Sequence, residues 1–276
     1  MDFIKKQSTL LIAFGLILFV ITLILTLPAR LVTDSISERT PVKLTGVTGS
    51  IWNGRASAVS VINTPAGPIN LGPTTWDVSF LKLLTATAGV DLDIEDNSPD
   101  RSGIMGTAEV NYSLLGGQVN IQEADIRTSA APFIQQFAGN LPADINANLR
   151  LLIDHFSADD VNNLLIPVPE VNAQVILSDI NVNYGDQYAL GNVQVDAVNE
   201  NGDVIQLTLQ DMQAAFELDG QGQLMSDGSY QIAGSIASNA DTPLALKDLI
   251  SMAQGGLSSP DAPAAMRFNQ SGQLRL

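Results

Sequence analysis

Residues 171–184 read VNAQVILSDINVNY. Val171, Ala173, Val175 and Leu177 occupy every second position, and Ile180, Val182 and Tyr184 continue the series. In extended chain, successive side chains point to opposite faces, so this spacing gives a strand with one apolar face. The same grammar recurs on both sides. Val110, Tyr112 and Leu114 alternate before Gly116-Gly117, and Val119 and Ile121 follow it. Leu207 and Leu209 precede Ala215 to Leu218, and Tyr230, Ile232 and Ile236 close the series. Asn201-Gly202, Asp219-Gly220 and Asp227-Gly228 lie between these runs and read as hairpin turns. The pattern predicts a mainly β body, an antiparallel meander or curved sheet.

Three helical patches interrupt the strands. Pro132 to Ala138 sets Phe133, Ile134 and Phe137 on one face. Ser157 reads as an N-cap, with Asp159 and Asp160 in the first turn and Val161, Leu164 and Leu165 behind. Thr242-Pro243 opens the third, where Leu246, Leu249, Ile250 and Ala253 keep helical spacing up to Gly255-Gly256. The order of strand, helix, proline loop and strand runs from Gly116 to Leu152 and again from Asp227 to Leu276. Two similar halves are therefore expected, residues 28–145 and 146–276, joined into one continuous body.

The first 27 residues are of another kind. A tail, residues 1–7, precedes twenty uncharged residues from Ser8 to Leu27. A helix rises about 1.5 Å per residue, so this stretch spans roughly 30 Å, the thickness of a bilayer core. It exceeds the apolar region of a cleaved signal, and Leu27 stands at the minus-three position before the first small residue, Ala29. An uncleaved transmembrane anchor is expected. Lys5 and Lys6 before it, against Arg30 after it, favour a cytoplasmic N-terminus and an exported body.

Beyond Leu27, three Lys and eight Arg face 28 Asp and Glu, a net charge of −17. That surface repels phosphate backbones and anionic headgroups, which disfavours nucleic acid as a partner. There is no cysteine, so thiol catalysis and cysteine-based metal sites are excluded. His155 is the only histidine and cannot form a two-histidine metal site. Asp91, Asp93 and Glu95 alternate with Leu92 and Ile94, which reads as a solvated strand face. No phosphate loop, nucleophile elbow or calcium-loop grammar appears. No catalytic residue, cofactor or metal is assigned. An exported enzyme would need a cleft that gathers several carboxylates.

The most distinctive string is Gly49-Ser50-Ile51-Trp52-Asn53-Gly54, read as a tight hairpin turning at Asn53-Gly54. Trp52, Asn53, Gly54 and, further on, Trp76 are candidates for a structural or partner-docking role.

Taken together, the chain resembles the type II secretion system protein N family. The resemblance rests on the N-terminal span, on Val47 to Ala56 around Trp52-Asn53-Gly54, and on Trp76-Asp77-Val78 with Leu83-Leu84 after it. Asp227-Gly228-Ser229-Tyr230 with Gly234, and the terminal Ser271-Gly272-Gln273-Leu274, complete it. It implies a single-pass inner-membrane protein with a periplasmic β body and no catalytic residues. Its partners would be the inner-membrane and secretin components of the machine that exports folded proteins across the outer membrane. Related AsmA-like folds, curved sheets with an apolar groove, imply the alternative of a lipid-handling protein of the cell envelope.

Overall fold

The computed structural model describes residues 22, 26–31, 33, 42–62, 69–96, 98, 103–137, 144–160, 168–184, 186–200, 202–253 and 265–273. Chain order begins with β1 (Val42–Thr45), β2 (Thr48–Gly49), β3 (Asn53–Ala56), β4 (Ala58–Val61), β5 (Ile69–Leu71) and β6 (Thr74–Ser79). A short helix, Phe80–Leu83, leads to β7 (Thr87–Ile94), β8 (Met105–Ser113) and β9 (Val119–Ser129). The helix Ala131–Phe137 precedes β10 (Asp144–Ala158), β11 (Glu170–Tyr184), β12 (Asp186–Asn199), β13 (Val204–Met212), β14 (Glu217–Met225) and β15 (Ser229–Ala237). The helix Leu244–Ala253 then leads to β16 (Ala265–Gln273).

Thirteen of these strands form one sheet in the order β16-β15-β14-β13-β12-β11-β10-β9-β8-β7-β6-β3-β2, and β1-β4-β5 form a second, small one. Each neighbouring pair in both sheets is antiparallel. The expected meander is therefore present, and β10 carries the sheet without a break between β9 and β11. The order of strand, helix and antiparallel return occurs twice, as β9, Ala131–Phe137, β10 and as β15, Leu244–Ala253, β16.

Register explains why one face is apolar. Trp76, Leu92, Ala108 and Ala124 stand in one cross-strand row, and Leu151, Val175, Val195 and Leu209 in another. The opposite face carries Thr75, Asp93, Thr107 and Asp125 in a row of its own. The opening stretch shows how the pattern survives an irregularity. Leu177 and Ile180 differ in parity, yet both belong to the apolar side, because the ladder shifts between them at a bulge. Asp179 takes φ +53 there, its N–H donates to Asn192 Oδ1 at 3.0 Å, and its carboxylate accepts from Asn148 Nδ2 at 3.0 Å.

The buried core sits at two places. Ala130, Ala147, Ile180, Leu190 and Val193 form one cluster, and Ile134 and Leu246 pack on it from the two longer helices. Ala29, Val47, Ala56 and Val59 form the other, joined by Val42, Leu44, Leu71 and Trp76, so the small sheet covers the first strands of the large one.

Two expectations need correction, and two others fall largely outside the described residues. Ser157 is no helix cap: it lies in β10, opposite Asn120 and Glu170, because the strand continues from Ile153 across a register shift. Val161, Leu164 and Leu165 lie outside the described residues. Asp219-Gly220 is no turn but the middle of β14. Gly220 stands between Leu209 and Gly234 in the ladder, where a Cβ would come 3.3 Å from Ala233 O and from Leu209 Cβ. The helix Phe80–Leu83 was not foreseen, since four residues carry no periodicity. Most of the stretch Ser8 to Leu27 lies outside the described residues, and among the described residues no helix is long and apolar enough to cross a membrane.

Candidate functional site

The site grows from the turn between β2 and β3. Gly49 adopts φ +87, a conformation open to glycine, and a Cβ there would meet Asn53 O at 2.6 Å. Ser50 N donates to Asn53 O at 2.9 Å and Asn53 N donates to Ser50 Oγ at 3.1 Å. The tight hairpin is real, but its turn is Ser50-Ile51-Trp52, and Asn53-Gly54 already belongs to β3. Gly54 serves a different end. It faces Trp76 across the ladder, and a Cβ on Gly54 would lie 2.3 Å from Trp76 Cζ2. The indole therefore lies on bare backbone, and its Nε1–H donates to Ile51 O at 3.2 Å.

The four candidate residues are brought together. Asn53 pairs with Asp77 as Gly54 pairs with Trp76, and Asn53 Nδ2 donates to Asp77 Oδ2 at 2.9 Å. Val78 N donates to Trp52 O at 2.6 Å, and the Trp52 ring meets Phe80 edge-on with centroids 5.6 Å apart. The end of the uncharged stretch joins the same place. Ile51 N donates to Leu27 O at 3.0 Å, Ala29 N donates to Gly49 O at 3.1 Å, and Pro28 bridges Ser50. Ser8 lies outside the described residues.

On the polar face, register aligns carboxylates. Asp77, Asp91, Glu109 and Glu123 stand directly opposite one another on β6, β7, β8 and β9. They line an open recess of about 680 Å³ together with Arg55 and Asp93. Like charges in direct opposition are unfavourable, and cations answer them at the margins. Lys82 crosses the space left by Gly89 and donates to Glu109 Oε1 at 2.5 Å and to Asn111 Oδ1 at 2.9 Å. The Lys82 bond first, then a bond that Asn111 Nδ2 donates to Glu109 Oε1 at 3.4 Å, hold the Glu109 carboxyl below its ordinary range. That is the opposite of what a general acid requires. Glu95, on the same face as Asp91 and Asp93, pairs with Arg55 at 2.6 Å. His155 lies 3.6 Å from Glu170. Among the described residues no group of three or more His, Asp or Glu is arranged to hold a metal ion.

One carboxylate is strongly tuned. Arg150 donates to both oxygens of Asp125 at 2.8 Å, and Arg127 adds a bond at 2.9 Å. Arg150 first, then Arg127, lowers the Asp125 pKa to about 2. A depressed carboxyl pKa stabilises the fold above the unfolded value and loses that contribution as pH falls through the folded one. Stability should therefore drop by about 1–2 kcal/mol between roughly pH 4 and pH 2, after a discount for solvent screening. Asp125→Asn should flatten this step in acid-unfolding curves of the purified chain. An unchanged curve would show that the clamp contributes nothing.

Sequence reasoning missed an apolar rim beside this turn. Phe80, Leu81, Leu84, Leu114 and Leu115 are exposed, and Leu114 N donates to Ala86 O at 2.9 Å, which joins the two segments. The doublets Leu83-Leu84 and Leu114-Leu115 are visible in sequence, but their adjacency needs the pairing of β7 with β8.

A family model described as type II secretion system (T2SS), protein N, matches residues 40–269. The chain belongs to the type II secretion system protein N family. No curated protein and no solved structure matches it. The match runs from just before β1 into β16, so the family covers both sheets. The motifs that carried the resemblance to this family now have a physical reading. Trp76 lies on Gly54, Tyr230 stands opposite Gly272, and Phe268 stands opposite Gly234. In each pair a Cβ on the glycine would come within 2.7 Å of the aromatic ring. Aromatic cover of strand glycines is a known device for fixing register. In this secretion component the short motifs hold the sheet together.

Proposed function

We propose that this type II secretion protein N is an accessory inner-membrane component. Ser8 to Leu27 would cross the bilayer once, with the tail cytoplasmic and the β body periplasmic. The body supports export of folded proteins through the outer-membrane secretin by contacts with other components of the machine. The family match over residues 40–269 carries this reading. The uncharged stretch that leads into Leu27 supports the anchor. Trp52 lies at the turn that receives Leu27, and Asn53, Gly54 and Trp76 hold that turn in place.

Two measurements test the proposal together. Alkaline phosphatase fused to the C-terminus should be active, since that enzyme works only outside the cytoplasm. A tagged full chain solubilised from membranes should carry along identified secretion components. An inactive fusion would refute the topology. A clean purification free of secretion components would refute the role.

A second reading, lipid handling, is favoured by one observation. The apolar face runs from Trp76 to Phe268, and Leu92, Leu151, Val175, Leu209 and Phe268 on it are only half-buried. A photo-reactive residue at Leu207 should then cross-link phospholipid, while one at the neighbouring outward Thr208 should not. Equal labelling at both positions would count against a lipid trough.

A further inference from the structure

The rim beside the Trp52 turn carries a concentration of large exposed apolar side chains. Leu115 is 90 % exposed, Leu81 75 % and Leu84 73 %, with Phe80 and Leu114 also open. Scattered exposed leucines need no explanation, but a contiguous group does. This group is contiguous by construction. The end of β6, the start of β7, the end of β8 and the start of β9 lie at one rim of the sheet, because the pairs are antiparallel. The helix Phe80–Leu83 and the turn Leu114 to Gly117 are the connections at that rim.

Leu27 arrives at the same rim. Its carbonyl accepts from Ile51 N at 3.0 Å, Trp52 is the next residue, and Trp52 rests edge-on against Phe80. The apolar group therefore begins within two residue contacts of the end of the uncharged stretch. A span of twenty residues crosses about 30 Å, which leaves Leu27 at the headgroup level. A tryptophan at that level is in its preferred place.

We propose that Phe80, Leu81, Leu84, Leu114 and Leu115 dip into the periplasmic leaflet of the bilayer that Ser8 to Leu27 cross. This rests on the anchor reading given above. The occupant is lipid rather than a partner protein because Leu27, the last residue of the chain's own uncharged stretch, is bonded to the turn whose Trp52 touches Phe80 of the rim. The body would then be held at two points, the helix and this rim, and could not swivel freely about Leu27. The polar face with its carboxylate row would keep a set direction relative to the membrane, facing whatever the machine presents. The acidic body implies a preference for zwitterionic over anionic headgroups.

The chain has no cysteine, so single labels can be placed without a background. The full chain is reconstituted in phosphatidylcholine vesicles with a nitroxide at Leu84→Cys or Leu115→Cys. Leu16→Cys, in the uncharged stretch, reports the anchor. Leu244→Cys, 80 % exposed on the opposite rim, reports a water-facing leucine. The expected result is that labels at 84 and 115 collide several-fold less with a water-soluble nickel complex than the label at 244, and more with oxygen. If label 16 is lipid-embedded but 84 and 115 match 244, the rim does not insert and the anchor stands. If label 16 is itself in water, both readings fall. Shielding at 84 and 115 from nickel and oxygen alike, with dipolar broadening, would mean that a second copy covers the patch. As a label-free check, brominated lipid should quench Trp52 emission, and Trp52→Phe should remove most of that quenching. Equal quenching in both chains would overturn the placement of Trp52 at the interface.

Discussion

Trp76→Ala is expected to destabilise the body by about 2–4 kcal/mol, somewhat less than emptying a fully buried aromatic site, because the indole is partly buried against the core. The indole joins Val42, Leu44, Leu71, Ala56 and Val59 where the small sheet meets the large one. It also covers Gly54 and donates to Ile51 O, so its loss loosens the turn that holds Trp52 and Leu27. A domain has about 5–15 kcal/mol in all, so the variant should unfold at much lower urea and lose the Trp52–Phe80 contact early. Gly54→Ala attacks the same contact from below, with its new Cβ 2.3 Å from Trp76 Cζ2, and should cost about 1–3 kcal/mol. In the double variant Gly54→Ala, Trp76→Leu the two penalties should fall short of additivity, because the smaller side chain leaves room for the methyl. Strict additivity, or a Trp76→Ala chain within about 1 kcal/mol of wild type, would refute the packing described.

Gly234→Val is expected to be as damaging at the other end of the sheet. A Cβ there would stand 2.4 Å from Asp219 O, 2.6 Å from Phe268 Cζ and 2.7 Å from Gly220 Cα. Two of these neighbours are backbone and cannot swing away. Overpacking of this kind should cost about 3 kcal/mol or more. The strain falls on the ladders that β15 makes with β14 and β16. Hydrogen exchange should show the amides of Ala265–Gln273 losing protection first, since β16 is bonded on one side only. Adding Phe268→Ala should relieve part of the loss and leave the backbone contacts in place. Full protection of β16 in Gly234→Val would contradict the register.

These two cases show where sequence was informative. Alternation in 171–184, and turn pairs such as Gly116-Gly117 and Asp227-Gly228, were enough for an antiparallel meander with one apolar face. The helices at Ala131–Phe137 and Leu244–Ala253 were visible in their spacing. Glycine was the ambiguous letter. Asp219-Gly220 looks like a turn by propensity, but its glycine lies in mid-strand opposite Gly234, and it is Gly234 that makes room for Phe268. Asn53-Gly54 looks like a turn for the same reason, and its glycine makes room for Trp76. Local propensity cannot distinguish a glycine that bends the chain from one that lies beneath a ring. Ser157 failed differently: its residue type suits a cap, but the apolar residues around it belong to a strand. The site was half legible. Trp52, Asn53, Gly54 and Trp76 stood out by composition, whereas Asp77, Lys82 and the leucine rim acquire meaning only when β3, β6, β7 and β8 are paired.

A member of this family should be needed for type II secretion in the cell. The most direct measurement is export of a folded exoprotein in a strain that lacks this chain, with and without the chain restored from a plasmid. The exoprotein should accumulate in the periplasm of the deletion strain and return to the medium on restoration. Export at the wild-type rate without the chain, under every growth condition in which the machine is made, would contradict it.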